Sequence, residues 1–121
     1  MLTPTLLIFE RRPRWVPELE RQFLGQDVRV RGCRSVKDVL KHCTPLANCV
    51  VILDLAAQPE DCLKTLERLM ARSPSPTILV VASAMDRELE WPVRELGATA
   101  FLEEPIPGDE MAEWCRRQFS V

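Results

Sequence analysis

The chain of 121 residues has no tyrosine, 1 histidine and only 4 glycines, and neither sign of charge is in large excess. Each shortage excludes something. So few glycines leave no glycine-rich loop to cradle a phosphate. The single histidine, His42, sits late in a helical segment beside Lys41 and off its apolar stripe, which makes it a surface side chain rather than part of a catalytic or relay pair. The 16 basic and 18 acidic residues sum to a net charge of -2. That balance gives no electrostatic footprint for nucleic acid and no basic face for an anionic membrane. No apolar run approaches the roughly 20 residues of a spanning helix. The first apolar run stops at Glu10, Arg11 and Arg12 with no basic segment before it, unlike a secretory signal. The 5 cysteines (Cys33, Cys43, Cys49, Cys62, Cys115) are odd in number, scattered and without C-x-x-C spacing. They support neither a zinc site nor a redox pair and read as buried thiols of a cytoplasmic protein.

What is present is a well-ordered pattern. Hydrophobic residues make up 46% and charged residues 28%, the balance of one folded domain over residues 1–121. Short apolar runs (Leu6–Phe9, Val28 and Val30 within Asp27–Cys33, Cys49–Leu53, Thr77–Ala82, Ala98–Leu102) alternate with segments of helical period. Continuous Val/Ile/Leu runs suit strands covered on both faces. The first helix, about Pro17 to Leu24, is closed by Gly25. Ser35 caps the second, with Val36, Val39, Leu40 and Cys43 on one stripe. Pro59 opens the third, which carries Leu63, Leu66, Leu69 and Met70. The fourth starts near Asp86 and contains Pro92, which should kink or interrupt it. The fifth opens at Pro107 and Asp109 and carries Met111, Cys115 and Phe119. Five strands alternating with five helices predict a doubly wound α/β domain with a five-stranded parallel sheet and helices on both faces, of flavodoxin-like topology.

In such a sheet, chemistry collects beyond the carboxyl ends of the strands. Glu10 and Arg11 follow the first strand, Asp54 ends the third, Ala82 and Ser83 end the fourth, and Glu103, Glu104 and Pro105 follow the fifth. Asp54, directly after Val50-Val51-Ile52-Leu53, is solvent-reachable yet fixed.

These residues give the chain its resemblance to the response-regulator receiver family, over essentially its whole length. Val50-Val51-Ile52-Leu53-Asp54-Leu55 resembles the third strand with its phosphoacceptor aspartate. Pro76 to Ser83 is similar to the fourth strand, and Glu95-Leu96-Gly97-Ala98 through Pro105 to the ending that carries a lysine before a proline. The resemblance implies a cis Glu104–Pro105 bond, an aromatic switch at Phe101 and contacts through the fourth and fifth helices.

The departures are chemical. The family's metal-holding acidic pair is here Glu10 and Arg11. Its lysine is Glu104. Its hydroxyl position falls on Val81 or Ala82, with Ser83 out of register. A guanidinium repels magnesium, and a carboxylate in the lysine position repels an incoming phosphoryl group. The reading is a degenerate receiver, not an enzyme, with a vestigial phosphoacceptor Asp54 in a pocket of Glu10, Arg11, Asp54, Ser83 and Glu104, and with neither metal nor cofactor. Arg11 is expected to stand in for the metal, forking onto Asp54 or Glu104. The alternatives are a working receiver phosphorylated on Asp54, and a small-molecule sensor using the space between Glu10, Asp54 and Ser83. The expected partner is a protein or a second copy, bound through the fourth and fifth helices with Trp91, Phe101 and Trp114 as anchors. Trp15 is expected to pack over the sheet edge. The domain stands alone or begins a longer protein.

Overall fold

Along the central strands, neighbouring side chains face two different cores. The computed structural model describes residues 3–43 and 48–119. In β1 (Thr5–Phe9), Leu6 and Ile8 point to one side while Leu7 and Phe9 point to the other. β3 (Cys49–Asp54) and β4 (Thr77–Ala82) repeat this, with Val50, Ile52, Leu79 and Val81 on the first side and Val51, Leu53, Ile78 and Val80 on the second. The period of two in a strand, with apolar residues at every position, requires cover on both faces.

The helices provide that cover. α1 (Trp15–Gln22) and α5 (Gly108–Phe119) close the first side with Trp15, Leu19, Met111 and Cys115. α2 (Val36–His42), α3 (Pro59–Met70) and α4 (Glu90–Glu95) close the second with Val39, Leu66, Leu69 and Val93. All neighbouring strands are parallel, in the order β2-β1-β3-β4-β5, where β2 is Arg29–Cys33 and β5 is Ala100–Glu103. The doubly wound parallel architecture expected from the sequence is therefore the one observed. Among the described residues no helix is long and apolar enough to cross a membrane.

Two helix starts differ from expectation for one reason. α1 begins at Trp15, so Pro17 lies inside its first turn, and Trp15 is a buried core residue rather than a cover for the sheet edge. The segment after β4 is a 3₁₀ helix (Ala84–Leu89) that passes into α4 at Glu90, so Pro92 also falls in a first turn. Amides of a first turn have no intrahelical acceptor in an α-helix, so proline costs little there. Gly25, at φ +80°, ends the first helical segment as expected.

β2 is an edge strand with mostly exposed side chains, and Arg29 and Arg31 share its α2-facing side. His42 is half-buried against Asp38, 3.2 Å away one helical turn earlier, rather than freely exposed.

Candidate functional site

The carboxyl ends of β1, β3, β4 and β5 bring Glu10, Asp54, Ser83 and Glu104 to one edge of the sheet. Their partners differ sharply. Glu10 turns its carboxylate onto the start of α1. Its Oε1 accepts the amides of Arg14 and Trp15 at 3.2 and 2.9 Å, and its Oε2 accepts the amide of Val16 at 3.0 Å. A helix start exposes unpaired amides and partial positive charge, which an anion satisfies. Glu10 thus does the work of a cap that Arg14, the residue in the cap position, does not do with its own side chain.

Asp54 ends β3 half-buried and accepts the Ala56 amide at 3.0 Å, starting a 3₁₀ helix (Leu55–Ala57) that turns the chain toward α3. Burial pushes the Asp54 carboxyl above its ordinary value; the Ala56 amide opposes that rise, the charges of Glu104 and Glu10 add to it, and Arg14 opposes it.

Glu104 is held by two contacts. Its amide donates to the Ala82 carbonyl at 2.8 Å, which fixes the residue against the end of β4. Its carboxylate is ion-paired to the Arg14 guanidinium. The Glu104–Pro105 bond is cis.

The expected counter-charge is therefore present but comes from another residue. Arg11 is exposed and makes no ion pair among the described residues. Its backbone follows Glu10, whose carboxylate is turned to the helix start, and its side chain lies over the ends of β1 and β2. Arg14, at the first bend of α1, faces Glu104. Nothing in Arg11-Arg12-Pro13-Arg14 marks which of three arginines is the one that turns inward. A second pair missed from the sequence is Arg87, which forks onto Glu103 at 2.6 and 3.0 Å from the segment after β4.

At β4 the register sets Val81 opposite Asp54 and Ala82 opposite Glu103. Both are buried and carry no hydroxyl, and Ser83 lies beyond the strand with its carbonyl accepting the Asp86 amide. Magnesium, which the resemblance to receivers implies, fits these residues poorly: Glu10 is engaged by three amides and Glu104 by a guanidinium, which leaves Asp54 as the one carboxylate of the three held by neither a helix start nor an arginine. Among the described residues, no group of three or more His, Cys, Asp or Glu side chains could hold a metal ion.

The three aromatic residues expected at an interface separate. Trp91 is 71% exposed on α4, and Met85, just before it, is 89% exposed. Trp114 is half-buried, with Arg117 stacked 5.6 Å from its ring centre. Phe101 is buried in the core beneath α4 and contributes little surface.

No family model matches the sequence, and no curated protein matches it. Solved structures do. A response regulator from Thermotoga maritima superposes with a TM-score of 0.79 at 16% identity, covering 99% of this chain and 100% of that one. A response regulator receiver domain protein from Clostridium thermocellum gives 0.78 at 12% identity, over 96% and 94% of the two chains. A response regulator receiver protein from Pseudoalteromonas atlantica gives 0.76 at 18% identity, over 96% of each. The fold of this chain is that of a response-regulator receiver domain.

Proposed function

We propose that this domain is a non-catalytic, receiver-type interaction module of a signalling or regulatory system, one whose output is not set by metal-dependent phosphorylation of Asp54. The observation that carries this reading is the Arg14–Glu104 ion pair beside Asp54. In an ordinary phosphoryl-accepting site, cations must be free to meet the transferring oxygens. Here the guanidinium whose charge reaches Asp54 is already paired, and the carboxylate paired with it adds negative charge at Asp54. The commitment of Glu10 to α1 supports the same reading, because the acid best placed to hold a metal has a structural task instead.

The output of such a module is binding. Met85 and Trp91 are both exposed on the segment from Ala84 to Glu95, and exposed aromatic and methionine side chains serve as anchors for a protein partner. The partner is a protein or a second copy, and the domain acts in the cytoplasm.

The decisive experiment is the intact mass after incubation with acetyl phosphate and magnesium. The mass is expected to stay unchanged. A phosphoryl adduct that disappears in Asp54→Asn would establish the alternative, a working receiver with an atypical site.

A further inference from the structure

A hollow of about 570 Å³ opens over the carboxyl ends of β1 and β2 and reaches the start of α3. Asp54, Ser83 and Glu104 do not line it. It lies where the chain diverges: β1 leads into α1 on one face of the sheet, while β2 and β3 lead into α2 and α3 on the other. In doubly wound sheets, loops leaving in opposite directions keep a crevice open at that point.

The lining is chemically uneven. Gly32 contributes no side chain to it and packs closely under Val16, which a Cβ built there would meet at 3.2 Å. Val16 and Pro13 supply apolar wall. Two acids also line it, each near the start of a helix. Glu10 is bonded to three amides at the start of α1, and Asp61 lies in the first turn of α3. Two arginines line it as well, Arg11 and Arg34, both exposed and neither with an ion-pair partner among the described residues. The formal charges of the lining balance, and its two guanidiniums are held by no carboxylate among the described residues. Gln58, at its rim, holds a φ of +86°, a conformation that costs a non-glycine residue about 1–3 kcal/mol, and sites where ligands bind are where such strain is kept.

We propose that this crevice binds a small organic anion, whose charged head is engaged by Arg11 and Arg34 and whose flat apolar body lies over Gly32 against Val16 and Pro13. Guanidinium pairs recognise carboxylate and phosphate heads alike through paired N–H donors. The ligand would be an input to the domain that is separate from Asp54. The inference thus goes beyond the reading of Asp54 and survives its failure.

The test uses amide nuclear magnetic resonance spectra of the purified chain, titrated with inorganic phosphate, adenosine monophosphate and naphthoate as probes. At least one of the two organic anions is expected to shift the amides of Val16, Gly32 and Arg34 in a saturable way, more strongly than inorganic phosphate does. Their relative strength assigns the head as phosphate or carboxylate. Arg11→Gln with Arg34→Gln, both at exposed positions, is expected to weaken binding at least ten-fold. Gly32→Val is expected to abolish it by filling the crevice. Asp54→Asn should bind as the wild type does. The proposal is overturned by an absence of saturable shifts with both organic anions, by inorganic phosphate binding as well as they do, or by shifts centred on Ala82, Ser83 and Glu104. Binding unchanged in the double arginine variant, with its spectrum still that of the folded chain, overturns it equally.

Discussion

Arg14, at the entrance of α1, binds the carboxylate of Glu104, at the end of β5, across the edge of the sheet where Asp54 emerges. The pair shapes the charge around Asp54 in two ways at once. It removes a free cation from the neighbourhood of Asp54 and keeps a negative charge there. With side-chain exposures of 52% and 23% it adds little to stability, about 0–1 kcal/mol for a pair so open to water. Its importance is electrostatic and local.

The first prediction concerns Asp54 itself. Its carboxyl is raised above the ordinary 3.8, chiefly by burial, so the folded state holds its proton more tightly than the unfolded chain does. Stability contributed by this group therefore falls as pH rises from about 3.8 through the folded value, and the ionised carboxylate is a liability at neutral pH. Asp54→Asn keeps an oxygen for the Ala56 amide and removes the charge. Thermal unfolding should show the variant melting above the wild type at pH 7, with the gap closing as pH drops toward 3.8. A variant less stable at pH 7 would contradict this account.

Glu10 tests the structural half of the site. Glu10→Ala strips an acceptor from three amides at the start of α1, a loss comparable to that of a helix cap, about 0.5–2 kcal/mol. Urea unfolding is expected to show that loss equally with and without magnesium. Destabilisation that appeared only with magnesium would point instead to a metal ligand.

The tryptophans should separate by cost. Trp15 is 2% exposed between α1 and the sheet, and Trp15→Ala is expected to cost about 3–5 kcal/mol in urea unfolding. Trp91 is 71% exposed, and Trp91→Ala should change stability by no more than about 0.5 kcal/mol. Partner binding, by contrast, should depend on Trp91. Equal costs for the two would show that Trp91 is packed.

The cysteines give a chemical readout of the core. Burial pushes the thiols of Cys33, Cys62 and Cys115 up to about 12, so they are neutral as well as inaccessible near neutrality. Iodoacetamide at pH 8 should leave these three unmodified in the folded chain and alkylate them in urea. Peptide mass mapping distinguishes the outcomes.

The fold was legible because parallel strands covered on both faces write themselves as continuous apolar runs, and Val50 to Leu53 and Ile78 to Val81 do so without interruption. Helix stops were legible where glycine supplied a left-handed backbone, as at Gly25. Helix starts were less so, since Pro17 and Pro92 mark a first turn without saying which position in it they hold. At the site, Asp54 and Glu104 lie at the ends of strands and take their places from the sheet register. The cation facing Glu104 comes from a loop, where side-chain direction depends on how α1 begins. That beginning is decided by Glu10 folding back on the amides of residues 14–16, a contact that spacing alone does not disclose.

The arginines of β2 have a bearing on how copies of this chain meet. An edge strand with bare backbone groups invites a second strand to pair with it, and a charged row on that edge discourages the union. Two copies brought together antiparallel along β2 would set Arg29 and Arg31 of one against Arg31 and Arg29 of the other, and like charges directly opposite are destabilising. Edge-to-edge extension of the sheet in that register is thereby opposed at this end of the molecule. Salt, by screening those charges, would weaken that protection, so storage in dilute buffer should preserve the dispersed protein longer than storage in concentrated salt.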